Sequence, residues 1–481
     1  MKQPDTTLSM PAAAATNTFP GVAGGAAPGP ARAVEFDRGL IARLSRPGPC
    51  YTSYPTADHF TESFGYRDFL HAVADLRTRG GARPLSLYLH VPFCDTVCYD
   101  CACNKIVTRS REKAVTYLSY LKREIEMQGR LFAGMNKVEQ LHFGGGTPTY
   151  LSDEQMGALM DHVRHCFQFA PDGTGEYSIE VDPRTVGPER VHSLRRQGFN
   201  RISLGVQDVE PEQATRAIID AARAAAFHSV SMDLIYGLPK QTPESMGRTL
   251  DEVVAADPDR IAVYHYARLP HLFKPQRWID EADVPDSDTR LRMFQLCIER
   301  LTAAGYVYIG MDHFAKPNDD LAIAQRQGRL HRNFQGYSTH ADSDLVSCGV
   351  SAISAVGATY SQNAKTLDAY YEALDRNELP VARGVSLTMD DLLRRCLIQK
   401  LMCQFELSIP AIEQAFPVVF DTYFSREMAE LAQMENNGLV ELSPDWITVT
   451  PRGRLLIRKV CMVFDGYLAK RSQGPHCSRT A

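Results

Sequence analysis

Short apolar runs alternate with helical-period stretches through the middle of the chain. Residues 85–90 (LSLYLH) form the first run, and its length and aliphatic content predict a buried strand; a helical period follows over 112–132. Further strand-like runs lie at 138–143, 176–181, 200–206, 229–236 and 260–266, separated by helical stretches at 152–166, 188–197, 213–225 and 244–255. Strands that alternate with helices in this way predict an α/β fold with a parallel sheet. Six such units, rather than eight, predict a partial (β/α)6 barrel. Glycines and polar residues gather at the C-terminal ends of the runs, where sheets of this kind carry their active sites.

The flanks read differently. Residues 1–34 are rich in Ala, Pro and Gly without periodicity, which predicts a disordered tail; the basic start and apolar core of a secretory signal are missing. Residues 35–84 form an N-terminal segment expected to lie over the active site, with a turn at Pro47-Gly48-Pro49, an extended aromatic stretch YTSYPTADHF (51–60) and a helix over 66–79. After Pro270 the alternation loosens into a helix at 290–304, a short strand at 306–309 and a glycine-rich approach GVSAIS at 349–354. The barrel and its extension are assigned to 85–365. A mostly helical C-terminal domain is assigned to 366–473, its helical pattern clearest from 387 and interrupted by a hairpin-like stretch at 438–450, with a tail at 474–481.

Composition narrows the function classes. The chain has 481 residues, 44% hydrophobic and 23% charged, with a net charge of −5. That is enough for two or three domains. It offers no electrostatic footprint for nucleic acid or an anionic membrane. No stretch approaches the roughly 18 uncharged apolar residues of a membrane helix. Twelve cysteines include four in one cluster and eight with no pairing rhythm, which points to a reducing, cytoplasmic setting. Nothing demands an oligomer, so a monomer is expected.

The cluster is CDTVCYDCAC. Cys94, Cys98 and Cys101 make a C-x3-C-x2-C triplet, and Cys103 follows. Four thiols this close can converge on one metal centre, on the loop just past the first strand. Structural zinc is one reading, with Cys103 completing a compressed four-cysteine site; against it, a zinc site usually has two well-separated Cys pairs. A [4Fe–4S] cluster held by three thiolates, with one iron open to a ligand, is the other. After the second strand, Gly144 to Thr149 (GGGTPT) let backbone approach a ligand, or simply make a tight turn. No Gly-Lys-Ser/Thr follows, so a phosphate loop is weakly supported and backbone binding of an amino or ribosyl group is the more natural reading. Glu180 and Asp233 sit near strand ends, where carboxylates accept from ribose hydroxyls or an ammonium group. Gln207 and Tyr88 share that position. His142, His265, His271, His313, His331 and His340 are scattered and receive no role. No Gly-x-Ser-x-Gly elbow supports hydrolysis.

The cluster, the GGGTPT loop and the βα units together resemble a radical S-adenosylmethionine (SAM) enzyme. YTSYPTADHF, LYLHVPFC, Cys103 with its flank NKIVTR, DLIYGLPKQTP, GMDHFA, HRNFQGYST and GRLLIRKVCMVFD are similar to blocks of the oxygen-independent coproporphyrinogen III oxidases, over about residues 35–473. The resemblance implies a radical SAM barrel. Cys94, Cys98 and Cys101 would hold a [4Fe–4S] cluster whose open iron binds SAM, giving a 5′-deoxyadenosyl radical. That radical would decarboxylate two propionates of coproporphyrinogen III to vinyl groups, yielding protoporphyrinogen IX. Two SAM molecules are implied: Tyr88, Gly145, Glu180 and Ile353 match contacts to the first, and Asp100, Gly146, Thr147, Gln207, Asp233 and Ala267 match contacts to the second. Cys103 matches the family's additional cysteine, which is not a cluster ligand; with Tyr88 it is assigned as catalytic. An electron donor and an electron acceptor are required, and the sequence specifies neither.

The chain departs from the family at three places. Asp100 replaces an aromatic residue inside the cysteine loop. Cys50 stands before YTSYPTA where an Arg is usual. The link between Gln207-Asp208 and DLIYGLP is shortened, and the family's Asn-Arg pair there has no counterpart. The missing Arg and Asp100 motivate a second reading, a heme-trafficking chaperone or degenerate paralogue, although such chaperones are not expected to carry Cys103.

Overall fold

A computed structural model of the chain describes residues 34–45, 48–79, 83–99, 104–135, 137–171, 173–208, 212–271 and 273–468. The two expected tails, apart from Val34, and the positions of Asp100, Cys101 and Cys103 lie outside the described residues.

The six expected strands are present. They are β1 (Leu85–Val91), β2 (Val138–Gly145), β3 (Glu176–Val181), β4 (Arg201–Gln207), β5 (Ser229–Tyr236) and β6 (Arg260–His265). They lie side by side in chain order and every pairing is parallel. The crossovers are α1 (Arg111–Phe132), α2 (Asp153–Cys166), α3 (Pro188–Arg196), α4 (Glu212–Ala224) and α5 (Pro243–Ala256). Local chemistry starts these helices where the chain needs them. Ser152 and Thr242 each close a capping box at the start of α2 and α5, and Pro243 occupies the first turn of α5, where a missing N–H costs nothing.

Alternation along the strands sorts the two faces. In β3, Tyr177, Ile179 and Val181 are buried on the helix side, while Glu176, Ser178 and Glu180 are half-buried on the other. Register carries that inner face across the sheet: Tyr88 pairs with His142, His142 with Ser178, Glu180 with Ser203, and Asp233 with Gly205 and Ala262. The concave face is therefore polar, and the apolar core lies between sheet and helices.

The sheet is larger than the sequence pattern predicts. Its twelve strands also include β7 (Val307–Gly310), β8 (His313–Ala315), β9 (Asp344–Cys348), β10 (Ile353–Val356), β11 (Thr359–Asn363) and β12 (Val381–Ser386), in the order β12-β11-β10-β9-β1-β2-β3-β4-β5-β6-β8-β7. β9 is a seventh parallel strand, set against β1 with Tyr88 opposite Ser347. The GVSAIS stretch is the turn from β9 into β10 rather than a loop alone. β12 belongs to this sheet, paired antiparallel with β11, so the sheet continues past residue 366.

Beyond β12, α6 (Met389–Gln404) leads into a three-stranded sheet of Glu406–Ser408, Trp446–Val449 and Val440–Leu442; the last two form the hairpin expected at 438–450. The N-terminal segment spans from the large sheet to this C-terminal part. Thr61 bridges Gly384 of β12, and the buried Tyr51 hydroxyl donates to Asp465 Oδ2 at 2.9 Å. Its helix, Tyr66–Arg79, has the expected bounds.

Candidate active site

The cysteine loop leaves β1 through Val91-Pro92-Phe93 and is fixed at both ends. Phe93–Cys94 pairs with Ile106–Val107, and Arg111 donates to both carboxylate oxygens of Asp95 at 2.9 and 3.1 Å. Cys94 is buried, with Thr147 Oγ1 3.6 Å from its sulfur. Cys98 is half-buried, its Sγ 3.9 Å from Gln207 Oε1 and its carbonyl accepting from Lys105 Nζ at 2.9 Å. Two thiols on one pinned loop, at the C-terminal side of the sheet, suit a soft metal centre, and the Thr147 hydroxyl donates to the Cys94 sulfur. Cys101, which would complete the triplet, lies outside the described residues, as do Asp100 and Cys103.

The GGGTPT loop serves first as a packing device. A Cβ on Gly144 would meet the Glu180 carboxylate at 2.9 Å, one on Gly145 would meet the His90 ring at 2.8 Å, and one on Gly146 would meet Phe93 O at 2.7 Å. Gly145 also has φ +117°, a conformation open to glycine. The N–H groups are engaged internally: Gly145 N donates to Glu180 Oε2 at 3.2 Å, Gly146 N to Val91 O and Thr147 N to Phe93 O, both at 2.8 Å. These contacts dock the loop closely against the base of the cysteine loop.

Tyr88 and its neighbours form a network across the inner face. Tyr88 stacks on His142 with ring centroids 5.8 Å apart, and His142 Nε2 lies 3.1 Å from Glu180 Oε1. The Tyr88 hydroxyl is 3.1 Å from His90 Nδ1, and His90 Nε2 is 2.9 Å from Asn104 O. A carbonyl only accepts, so Nε2 carries the proton and Nδ1 accepts from Tyr88. Burial lowers the His90 pKa, which keeps the ring neutral in that tautomer. His90 therefore ties β1 to the return of the cysteine loop.

Asp233 sits in mid-strand rather than at a strand end, on the inner face of β5. Burial raises its carboxyl to about 7, with the Glu180 charge adding to that; the Ser203 hydroxyl, 3.2 Å away, and His142 oppose it. Gln207 ends β4 at φ +63° beside a register shift, which turns its amide toward Cys98. Ala267 follows β6, and its carbonyl accepts from Gln276 Nε2 at 3.0 Å. Ile353 opens β10, and its carbonyl accepts from Ser347 Oγ at 2.6 Å. A cavity of about 480 Å³ opens beside Cys98 and Gln207, with Tyr99, Tyr266 and the 87% exposed Trp278 on its walls. The matched residues among those described thus share one side of the sheet, with Ile353 at its margin two strands from Tyr88.

Two residues of the site carried no signal in the sequence. His90 was legible only as the inward neighbour of Tyr88 at a spacing of two. Gln276, 1% exposed, donates to Tyr99 O at 2.9 Å as well as to Ala267 O, clamping the cysteine loop to the segment after β6. No local pattern marks a contact across that sequence separation.

Comparison with known proteins agrees with this architecture. The model of the radical SAM superfamily matches residues 88–253, and that of the HemN C-terminal domain matches residues 387–456. An oxygen-independent coproporphyrinogen III oxidase of Pseudomonas aeruginosa is 48% identical over 446 residues, covering 90% of this chain and 96% of the relative. The enzyme of that name from Escherichia coli is 48% identical over 457 residues, covering 93% and 98%. The solved structure of coproporphyrinogen III oxidase from Escherichia coli, described as a radical SAM enzyme, superposes with a TM-score of 0.86, covering 91% of this chain and 100% of that one at 48% identity. Sequence and fold agree, and the chain belongs to the oxygen-independent coproporphyrinogen III oxidases of the radical SAM superfamily.

Proposed function

We propose that this chain converts coproporphyrinogen III to protoporphyrinogen IX without oxygen, by oxidative decarboxylation of two propionates to vinyl groups. The observation that carries this is near-complete coverage of the oxidases at 48% identity. The pinned cysteine loop facing a polar sheet supports it.

Cys94, Cys98 and Cys101 hold a [4Fe–4S] cluster in this reading. When bound, the cluster and SAM supply the one-electron chemistry that removes hydrogen from the propionate. The chain's own residues bind and orient. Glu180, braced by Gly145 N and His142, presents a carboxylate to an ammonium or a hydroxyl. Tyr88 is held by the His90 Nδ1 acceptor, which fixes its hydroxyl direction. Gln207 and Asp233, with Gly146, Thr147, Ala267 and Asp100, are assigned to a second SAM. A carboxyl poised near neutrality, as at Asp233, can donate or accept toward a ribose hydroxyl. Cys103 is assigned to catalysis on the same loop.

The C-terminal module is taken to begin after Ser386, where the family model starts at 387 and the large sheet ends. The protein is further read as a cytoplasmic monomer that draws on a separate electron donor and acceptor. No helix of the described residues is long and apolar enough to cross a membrane.

Anaerobically reconstituted protein given SAM, a one-electron reductant and coproporphyrinogen III is expected to form protoporphyrinogen IX. Cys103→Ser is expected to keep the cluster and lose turnover. Tight heme uptake with no oxidase activity would instead favour a chaperone.

A further inference from the structure

Four stretches singled out in the sequence find no use in the cluster site: the residue before YTSYPTA, GMDHFA, HRNFQGYST and GRLLIRKVCMVFD. The fold brings one charged or polar group from each together. Arg332 lies in the hairpin His331–Asn333 and Gly336–Ser338. It is 7% exposed, and its Nε and Nη1 have no hydrogen-bond partner among the described residues. Its backbone is held at both polar atoms by the Gln399 side chain of α6, at 3.1 and 2.8 Å. The Tyr337 ring covers one face of the guanidinium at 4.7 Å. Burial works against its charge, but Tyr337, Cys50, Asp312 and Tyr264 outweigh it, so the group stays cationic.

The surroundings lead to the inner face of the barrel. Tyr264 is on β6, facing inward with Asp233, and both Tyr264 and Tyr337 pack edge-on against His313, at 5.9 and 5.2 Å. Arg458, also 7% exposed, has Nη1 3.8 Å from Cys50 Sγ, and Cys50 itself is exposed. Asp312 is near both arginines: burial raises its carboxyl, and Arg458 and then Arg332 pull it back. Among the described residues it forms no ion pair with Arg332. The two guanidinium groups thus share one nearby carboxylate, Asp312.

A buried guanidinium with unmet donors is expensive, and a native fold rarely keeps one without a partner that arrives later. The partner must bring an anion, accept an N–H bond from the guanidinium and reach the barrel interior. We propose that Arg332 receives a propionate carboxylate of the bound tetrapyrrole, with Arg458 keeping the place cationic. This rests on the proposed function, because it takes that substrate class as given. Arg332 acts as a specificity residue for carboxylated tetrapyrroles, anchoring one side chain while another reaches the reacting centre.

The test is binding, in anaerobic reconstituted protein, of coproporphyrin III as the free acid and as its tetramethyl ester, followed by absorbance. Wild type is expected to prefer the acid. Arg332→Gln is expected to weaken the acid on the order of tenfold or more and to move the ester less than about twofold, the scale of one charge-assisted pair. Arg332→Lys keeps the charge and so guards against a folding failure; without the planar guanidinium donors it is expected to lose several-fold of the preference. An acid-to-ester ratio unchanged in either folded variant overturns the proposal, as does equal loss for both ligands. The titration needs no turnover. Wild type that prefers the acid but makes no protoporphyrinogen refutes the function and leaves this inference standing; active wild type with no preference does the reverse.

Discussion

Gly145 carries the tightest constraint at the level of single residues. Its φ of +117° and the 2.8 Å approach of a virtual Cβ to His90 leave no room for a side chain. Gly145→Ala must push His90 away and loosen its contacts to Tyr88 and Asn104. The expected outcome is at least about a tenfold fall in reductive SAM cleavage, the scale of losing one well-placed positioning contact, measured as 5′-deoxyadenosine released without substrate. Asp233 makes a second prediction, through pH. Burial, then Glu180, raises its carboxyl to about 7, whereas it titrates near about 3.9 in an unfolded chain. The folded state therefore binds the extra proton between those values, and this stabilisation is complete below the lower one and lost as pH rises through the upper. Asp233→Asn should flatten that decline, so melting temperatures of variant and wild type should diverge from pH 5 to pH 8, with the variant gaining at high pH. Parallel curves would refute the assignment.

Among the elements, α1 is fastened to the turn between β9 and β10 by one buried carboxylate. Glu124, 0% exposed, accepts from Gly349 N and Asn363 Nδ2 at 2.7 Å and from the Tyr370 hydroxyl at 2.5 Å. Glu124→Gln turns an amide toward donors and is expected to cost about 1–3 kcal/mol, read by denaturant unfolding. The same scale explains what was legible in the sequence. The six barrel strands announce themselves as apolar runs, as in Leu85 to His90, or through one apolar face under the helices, as in Tyr177, Ile179 and Val181. β9 does not: its five residues are all buried yet include Asp344 and Ser347, and it joins the sheet beside β1 from far along the chain. The cysteine loop stood out because thiols are rarely clustered. The fasteners of that loop were not visible, since Gln276 reaches Tyr99 and His90 reaches Asn104 through folding alone. The glycines of GGGTPT were visible as a motif, but their packing role depends on Glu180, His90 and Phe93 arriving from elsewhere.

At the scale of the whole molecule, the N-terminal segment straps the large sheet to the C-terminal part. Tyr51 and Asp465 meet where both are buried, and the Tyr54 hydroxyl accepts from Gly466 N at 3.0 Å. Tyr51→Phe leaves a buried carboxylate short of one donor and should cost about 1–3 kcal/mol, a few degrees in melting temperature. The central claim is that this chain decarboxylates coproporphyrinogen III. Its most direct test is the carbon dioxide released from coproporphyrinogen III labelled at the propionate carboxyls, in anaerobic protein supplied with SAM and reductant. The account predicts two carbon dioxide molecules for each protoporphyrinogen IX formed, with release abolished when Cys98 is changed to Ser. Cleavage of SAM with no labelled carbon dioxide would contradict it.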